Sequence, residues 1–217
     1  MRWLQRRRLK DPAYGFLFEP GPPDEAVSLD CETTGLNRRK DEIVSVAAVP
    51  IRGGRVLTSE AFTATVRCVA TPDPASIKIH GLRARDIAMG RALADVLPAL
   101  LRFIGGRPLV GYYLEFDLAM IDRYLKPLLG VRLPNARIDV SGLYYDRKYG
   151  DAPPGTHVDL GFPAIARDLA LDLVGQHDAL ADATLTALMY VMLTDMAQRG
   201  IRIPRARYAP SSTLAGA

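Results

Sequence analysis

From Ala26 onward the chain falls into short runs whose polarity alternates or vanishes, followed by longer stretches in which apolar residues return every three or four positions. Ile43-Val44-Ser45-Val46-Ala47-Ala48-Val49 is an apolar, β-branched run of strand type. Gly53-Gly54 supplies a turn before Arg55-Val56-Leu57, and Phe62-Thr63-Ala64-Thr65-Val66 alternates as a further strand. With the strand that begins at Ala26 innermost, three neighbouring antiparallel strands are predicted. Pro108 to Tyr112 reads as a short buried parallel strand, and a segment around Arg137 to Val140 as another. The fold class is therefore α/β, with a central mixed five-stranded sheet, antiparallel strands first and parallel strands after, flanked by helices.

Helices are expected over Arg91 to Phe103, with Pro98 marking a start or a kink, and over Glu115 to Leu125. Two more are expected over Pro163 to Leu171 and over Ala179 to Gln198, the last capped by Asp178 and stopped at Gly200. The polar stretch Tyr144 to His157 carries no clear period and is expected to be the least structured part of the domain, a mobile loop.

With 217 residues, 48% hydrophobic and 24% charged, the chain suits one soluble α/β domain with extensions. The domain is assigned to residues 26–200, between a basic N-terminal arm with a Pro-rich linker (1–25) and a flexible C-terminal tail (201–217). Arg2, Arg6, Arg7, Arg8 and Lys10 make the arm basic and able to touch nucleic acid, but a solvated arm whose aromatics Trp3, Tyr14, Phe16 and Phe18 pack on the domain is expected. No signal peptide is visible, no segment is read as long enough to span a bilayer, and no membrane partner is expected. Cys31 and Cys68 are too few for a disulfide framework, and a reducing, cytoplasmic setting is expected. The net charge of +4 is compatible with a polyanionic partner without establishing one.

Chemistry enters at Val27-Ser28-Leu29-Asp30-Cys31-Glu32-Thr33-Thr34-Gly35. Asp30 and Glu32 share one face of a strand whose other face carries Val27, Leu29 and Cys31. Two readings fit an isolated Asp-x-Glu: a strand end running into solvent, or a pair of acids held together by a hard divalent cation. Asp117 falls in the first turn of a helix at the carboxyl end of a strand, where open α/β sheets place their sites and where the helix dipole also favours an acid. His177 lies on the loop before the last long helix, and Asp182 sits one turn into it.

Taken together, Asp30-x-Glu32-Thr-Thr-Gly, then Phe116-Asp117 after an apolar strand, then His177 and Asp182 in H-x₄-D spacing, the sequence resembles the DEDDh 3′-to-5′ exonucleases, which have a ribonuclease H-like fold and include the proofreading epsilon subunit of bacterial DNA polymerase III. The resemblance covers about Ala26 to Gly200. It implies a two-metal mechanism with Mg²⁺ or Mn²⁺, Asp30, Glu32, Asp117 and Asp182 as metal ligands, and His177 as the base that takes the proton of the attacking water. It further implies that Thr33, Thr34, Gly35 and Leu36 rest against the terminal nucleotide. Family members often carry His-Asn where this chain has Tyr112-Tyr113, so Tyr113 is expected to stack on a base or sugar instead. His80 resembles a recurrent feature of the epsilon-type members and is taken as structural.

The activity implied is release of nucleoside 5′-monophosphates from the 3′ end of single-stranded DNA, in proofreading or repair, with a polymerase or other protein partner left open. Two alternatives stand beside it: an RNA-trimming exoribonuclease of the same family, and a catalytically silent nucleic-acid-binding or polymerase-associated module.

Overall fold

The computed structural model describes residues 2–69, 76–77, 81–173, 175 and 177–205; His80 and the tail beyond residue 205 lie outside them. Strand β1 (Glu25–Thr33) is the spine of the sheet. On one side it pairs antiparallel with β2 (Ile43–Arg52), from Glu25 opposite Arg52 to Thr33 opposite Ile43, with an irregularity between Glu32 and Thr33. On the other side β6 (Leu109–Gly111) runs parallel to it, Val27 opposite Leu109.

β4 (Phe62–Arg67) extends the antiparallel half and β7 (Arg137–Asp139) the parallel half. These five strands match the predicted sheet. Two further strands of two residues each complete it: β3 (Arg55–Val56) on β2, and β5 (Arg91–Ala92) on β4. The order is β5-β4-β2-β1-β6-β7, with β3 beside β2. Gly53 and Gly54 both take positive φ, 55° and 75°, in the β2–β3 hairpin, a conformation side chains with a Cβ resist.

The alternation along β1 assigns its two faces to different helices. Val27, Leu29 and Cys31 pack with α3 (Leu93–Ile104) and α4 (Glu115–Leu129) in one core. Pro98 lies within α3 rather than at its start. Ala26, on the opposite face, packs with α5 (Val140–Lys148), α6 (Phe162–Asp168) and α7 (Ala179–Gln198). Two short α-helices among the described residues are α1 (Arg2–Arg6) and α2 (Ala84–Ala88). Leu17 and Phe18 of the N-terminal segment are buried in the first core, with Tyr14 and Phe16 packed against it, but Trp3 is 64% exposed and does not pack there as expected.

Two further expectations require correction. Tyr144 to Lys148 is not loop but the second half of α5, which the sequence hid because its buried side is narrow: Val140, Ser141 and Tyr144. Tyr144 is fully buried, its hydroxyl donating to Asp168 Oδ2 at 2.6 Å while Lys148 pairs with the same carboxylate. Secondly, α7 is long and apolar enough by length and composition to cross a membrane, with mean hydropathy 1.2. Its apolarity has a local cause: Ala179, Ala183, Leu185, Ala187, Met189 and Leu193 are buried, several of them against the sheet.

Candidate active site

The carboxyl ends of β1 and β6 and the amino ends of α4 and α7 meet at one cleft of about 430 Å³. Each brings its acids there for a local reason. On β1, strand alternation turns Asp30 and Glu32 to the α7 face. Ala179 and Ala183, four apart, present no side chain larger than methyl to Ala47 and Val49 of β2, so α7 lies close on the sheet. Asp182, beside Ala183 in the first turns, then reaches β1. One carboxylate oxygen each from Asp30, Glu32 and Asp182 lie within 4.8 Å of one another.

Asp117 stands apart from that trio, within the same cleft. It is 5% exposed, and its Oδ1 accepts a 3.1 Å hydrogen bond from the Cys31 amide, the backbone link between Asp30 and Glu32. The four acids predicted from sequence are therefore all brought to one place, three as a close cluster and one locked to the strand beneath them.

Such crowding is electrostatically expensive. Burial, with the charges of Asp117, Glu32 and Asp182 added, holds the Asp30 carboxyl well above the ordinary carboxylate range. Burial pushes Glu32 up to about 7, helped by Asp182 and Asp178. Asp117 is pushed to about 8, mainly by burial, against the lowering effect of its backbone hydrogen bonds. Asp182 is raised by burial, partly offset by the His177 amide. An oxygen-rich cluster that resists ionisation in isolation is matched by hard divalent cations, whose charge offsets the repulsion. These residues fit such an ion.

His177 lines the cleft with Asp30 and Asp182. Its φ is +66°, a left-handed conformation that makes a tight corner just before Asp178. Asp178 caps α7 as predicted, its Oδ1 accepting from the amides of Leu180 and Ala181 at 3.1 and 3.0 Å.

The expected substrate contacts divide. Thr33, Leu36 and Tyr113 line the cleft. Thr34 is 2% exposed, its hydroxyl donating to Asp41 Oδ1 at 3.2 Å and accepting from the Glu42 amide at 3.0 Å. A Cβ on Gly35 would meet Asp41 Oδ2 at 2.6 Å. Both therefore shape the loop that holds Leu36, and neither is among the residues lining the cleft.

Sequence reasoning missed Asp139. Its Oδ2 accepts from the Leu114 amide at 3.1 Å and its Oδ1 from the amide and hydroxyl of Ser141 at 2.9 and 2.6 Å. It thus ties the end of β7 to the turn that starts α4. Tyr112 was read only as a departure; its hydroxyl donates to the Leu160 carbonyl and accepts from the Phe162 amide, both at 3.1 Å, joining that turn to α6.

Comparison with known proteins agrees with this geometry. The DNA polymerase III subunit epsilon of Aquifex aeolicus is 29% identical over 169 residues, covering 78% of this chain and 80% of the relative. The PolC-type DNA polymerase III of Thermotoga maritima is 25% identical over 80% of this chain, which spans only 12% of that protein. Among solved structures, E. coli exonuclease I, in a zinc-bound complex with single-stranded DNA, superposes with a TM-score of 0.68 at 17% identity, covering 82% of this chain and 42% of that one. Exonuclease X with 5′-overhanging duplex DNA gives 0.60 at 21% identity, covering 82% and 95%. At such identities the structural likeness speaks for the fold alone. The family model described as Exonuclease matches residues 27–190, the span that holds all four carboxylates and the histidine. The chain belongs to that exonuclease family, as a 3′-to-5′ exonuclease of the DEDDh type.

Proposed function

We propose that the protein removes nucleoside 5′-monophosphates from the 3′ end of single-stranded DNA, using Mg²⁺ or Mn²⁺ held by Asp30, Glu32, Asp117 and Asp182. The observation that carries this reading is the convergence of Asp30, Glu32 and Asp182 oxygens within 4.8 Å, in a cleft where burial and mutual repulsion oppose their ionisation. A cluster costly to assemble without cations is well suited to a reaction that needs them.

The residues divide the work. Asp30, Glu32 and Asp182 offer oxygens from two elements, and Asp117 is oriented by the Cys31 amide. When bound, divalent ions supply neutralising charge at the attacking and leaving oxygens of the phosphodiester. His177 takes the proton of the attacking water, its loop position giving the imidazole room to approach. Leu36 and Tyr113, 86% and 55% exposed, offer apolar surface to the terminal nucleotide. The catalytic domain spans residues 26–200. The likeness to epsilon subunits supports a polymerase partner and a role in proofreading or repair.

The test is hydrolysis of matched 5′-labelled DNA and RNA single strands with Mg²⁺ or Mn²⁺. Stepwise shortening from the 3′ end, faster on DNA and abolished in Asp30→Ala, is expected. Activity retained by a clean Asp30→Ala preparation would reject the assignment, and faster cleavage of RNA would move the substrate to that class.

A further inference from the structure

Beside the cleft, α4 turns a basic face outward. Arg38, Arg123, Lys126 and Arg132 line a groove of about 710 Å³ together with Arg137 and the acids Glu115 and Asp122. Arg137 pairs with Glu115 at 2.8 Å and approaches Asp122 at 4.0 Å, so the acids are already matched. Among the described residues, none of the other four cations has a carboxylate within 4.0 Å. Five cations face two acids in this groove, an excess of positive charge that a flexible polyanion would balance.

The groove adjoins the cleft, with Arg38 of the groove resting on Phe116 of the cleft. The Arg38 guanidinium sits 5.6 Å over the ring of Phe116, which lines the cleft with Leu36. Arg123 Nη1 donates to the Arg38 carbonyl at 3.2 Å, fastening the Leu36-to-Lys40 loop to α4. From Phe116 to Lys126 the helix rises about 15 Å, the span of about four stacked nucleotides.

We infer that this groove carries the phosphate backbone of the single strand upstream of its 3′ end, as a sequence-independent track leading into the cleft. The inference rests on the exonuclease reading above and adds the path of the strand. Arg38, Arg123, Lys126 and Arg132 contact phosphates, while the chemistry stays with the acids and His177.

The test compares wild type with the double variant Lys126→Ala/Arg132→Ala, which leaves the Arg123–Arg38 link intact, on two substrates. One is the p-nitrophenyl ester of thymidine 5′-monophosphate, which occupies the cleft alone; the other is a DNA single strand of about 12 nucleotides. The ester's kcat/KM is expected to stay unchanged, while the KM of the long strand rises roughly tenfold and its log-log salt slope becomes shallower by about 1.4, two contacts at about 0.7 each. Lys126→Arg/Arg132→Lys should recover most of the slope. Equal changes on both substrates, or none on either, would overturn the track. Should the wild type cleave neither substrate, the exonuclease reading fails by itself. Anisotropy of the labelled strand in Ca²⁺ then decides the groove separately: a loss of affinity in the double variant supports it, and unchanged affinity overturns it.

Discussion

The Asp182 carboxylate accepts a 3.0 Å hydrogen bond from the backbone amide of His177. The loop that presents the imidazole is thus fastened to the acid by its main chain, leaving the ring free of that duty. Removing the ring should then cost chemistry and spare the cation site. His177→Ala is expected to lower kcat by about 10²-fold or more, with Mn²⁺ affinity by calorimetry within about twofold of wild type. Parallel loss of metal affinity would mean that the side chain, and not the amide, organises the site.

The raised carboxyls set the pH dependence of stability. Glu32 is held at about 7 and Asp117 at about 8 in the fold, against 4.5 and 3.8 as reference values. Groups with raised folded pKa bind more protons folded than unfolded between those limits, so stability falls as pH rises through the window. Asp151 and Asp168 shift the opposite way, but their contribution is lost only on acidification below the window. The metal-free chain should therefore melt several degrees lower at about pH 8 than at about pH 5. Saturating Mn²⁺ should remove most of that difference by favouring the ionised form. A metal-free melting temperature that climbs over this range would contradict the assigned burial of the acids.

What could be read in advance, and what could not, follows from how far each interaction reaches along the chain. Asp178 and its bonds to Leu180 and Ala181 lie within three residues, so the cap and start of α7 were legible. So was the turning of Asp30 and Glu32 to one face, which needs only strand alternation. The double role of Asp139 was not, because its partner Leu114 is 25 residues away and nothing local marks the pairing. That Thr34 and Gly35 lie outside the cleft lining was hidden for a similar reason: the constraint on both comes from Asp41, across a loop whose path the sequence does not display. Helix α5 escaped because Val140 and Tyr144 are its only large buried side chains, too few to make a period.

Asp139 offers a direct test of positioning at a distance from the acids. Asp139→Ala removes the N-cap of α5 and the anchor of the α4 turn together, an expected loss of about 1–3 kcal/mol in urea unfolding. Asp139→Asn keeps one carbonyl oxygen for Ser141 and should recover roughly half. Because Leu114 precedes Asp117 by three residues, kcat is expected to fall in Asp139→Ala by more than KM rises. Unchanged kcat in a folded Asp139→Ala protein would show that α4 needs no such anchor.

Tyr112 and Tyr113 separate structure from substrate within one pair, their rings 4.5 Å apart. Tyr112 is tied by its hydroxyl to Leu160 and Phe162 and stacks edge-on with the Phe162 ring at 5.0 Å. Tyr113, held at φ +48° and 55% exposed, turns its ring toward the cleft. Tyr112→Phe should therefore lower the melting temperature by a few degrees, through two lost hydrogen bonds worth about 1 kcal/mol each, with KM for a single strand nearly constant. Tyr113→Ala should leave melting almost unaltered and raise that KM roughly 5- to 150-fold, the cost of about 1–3 kcal/mol of base stacking. Tyr113→Phe keeps the stacking surface and should restore KM close to wild type. If Tyr113→Ala binds the strand normally, the ring does not touch the terminal nucleotide, and the place left by the family's usual His-Asn pair is filled by structure alone.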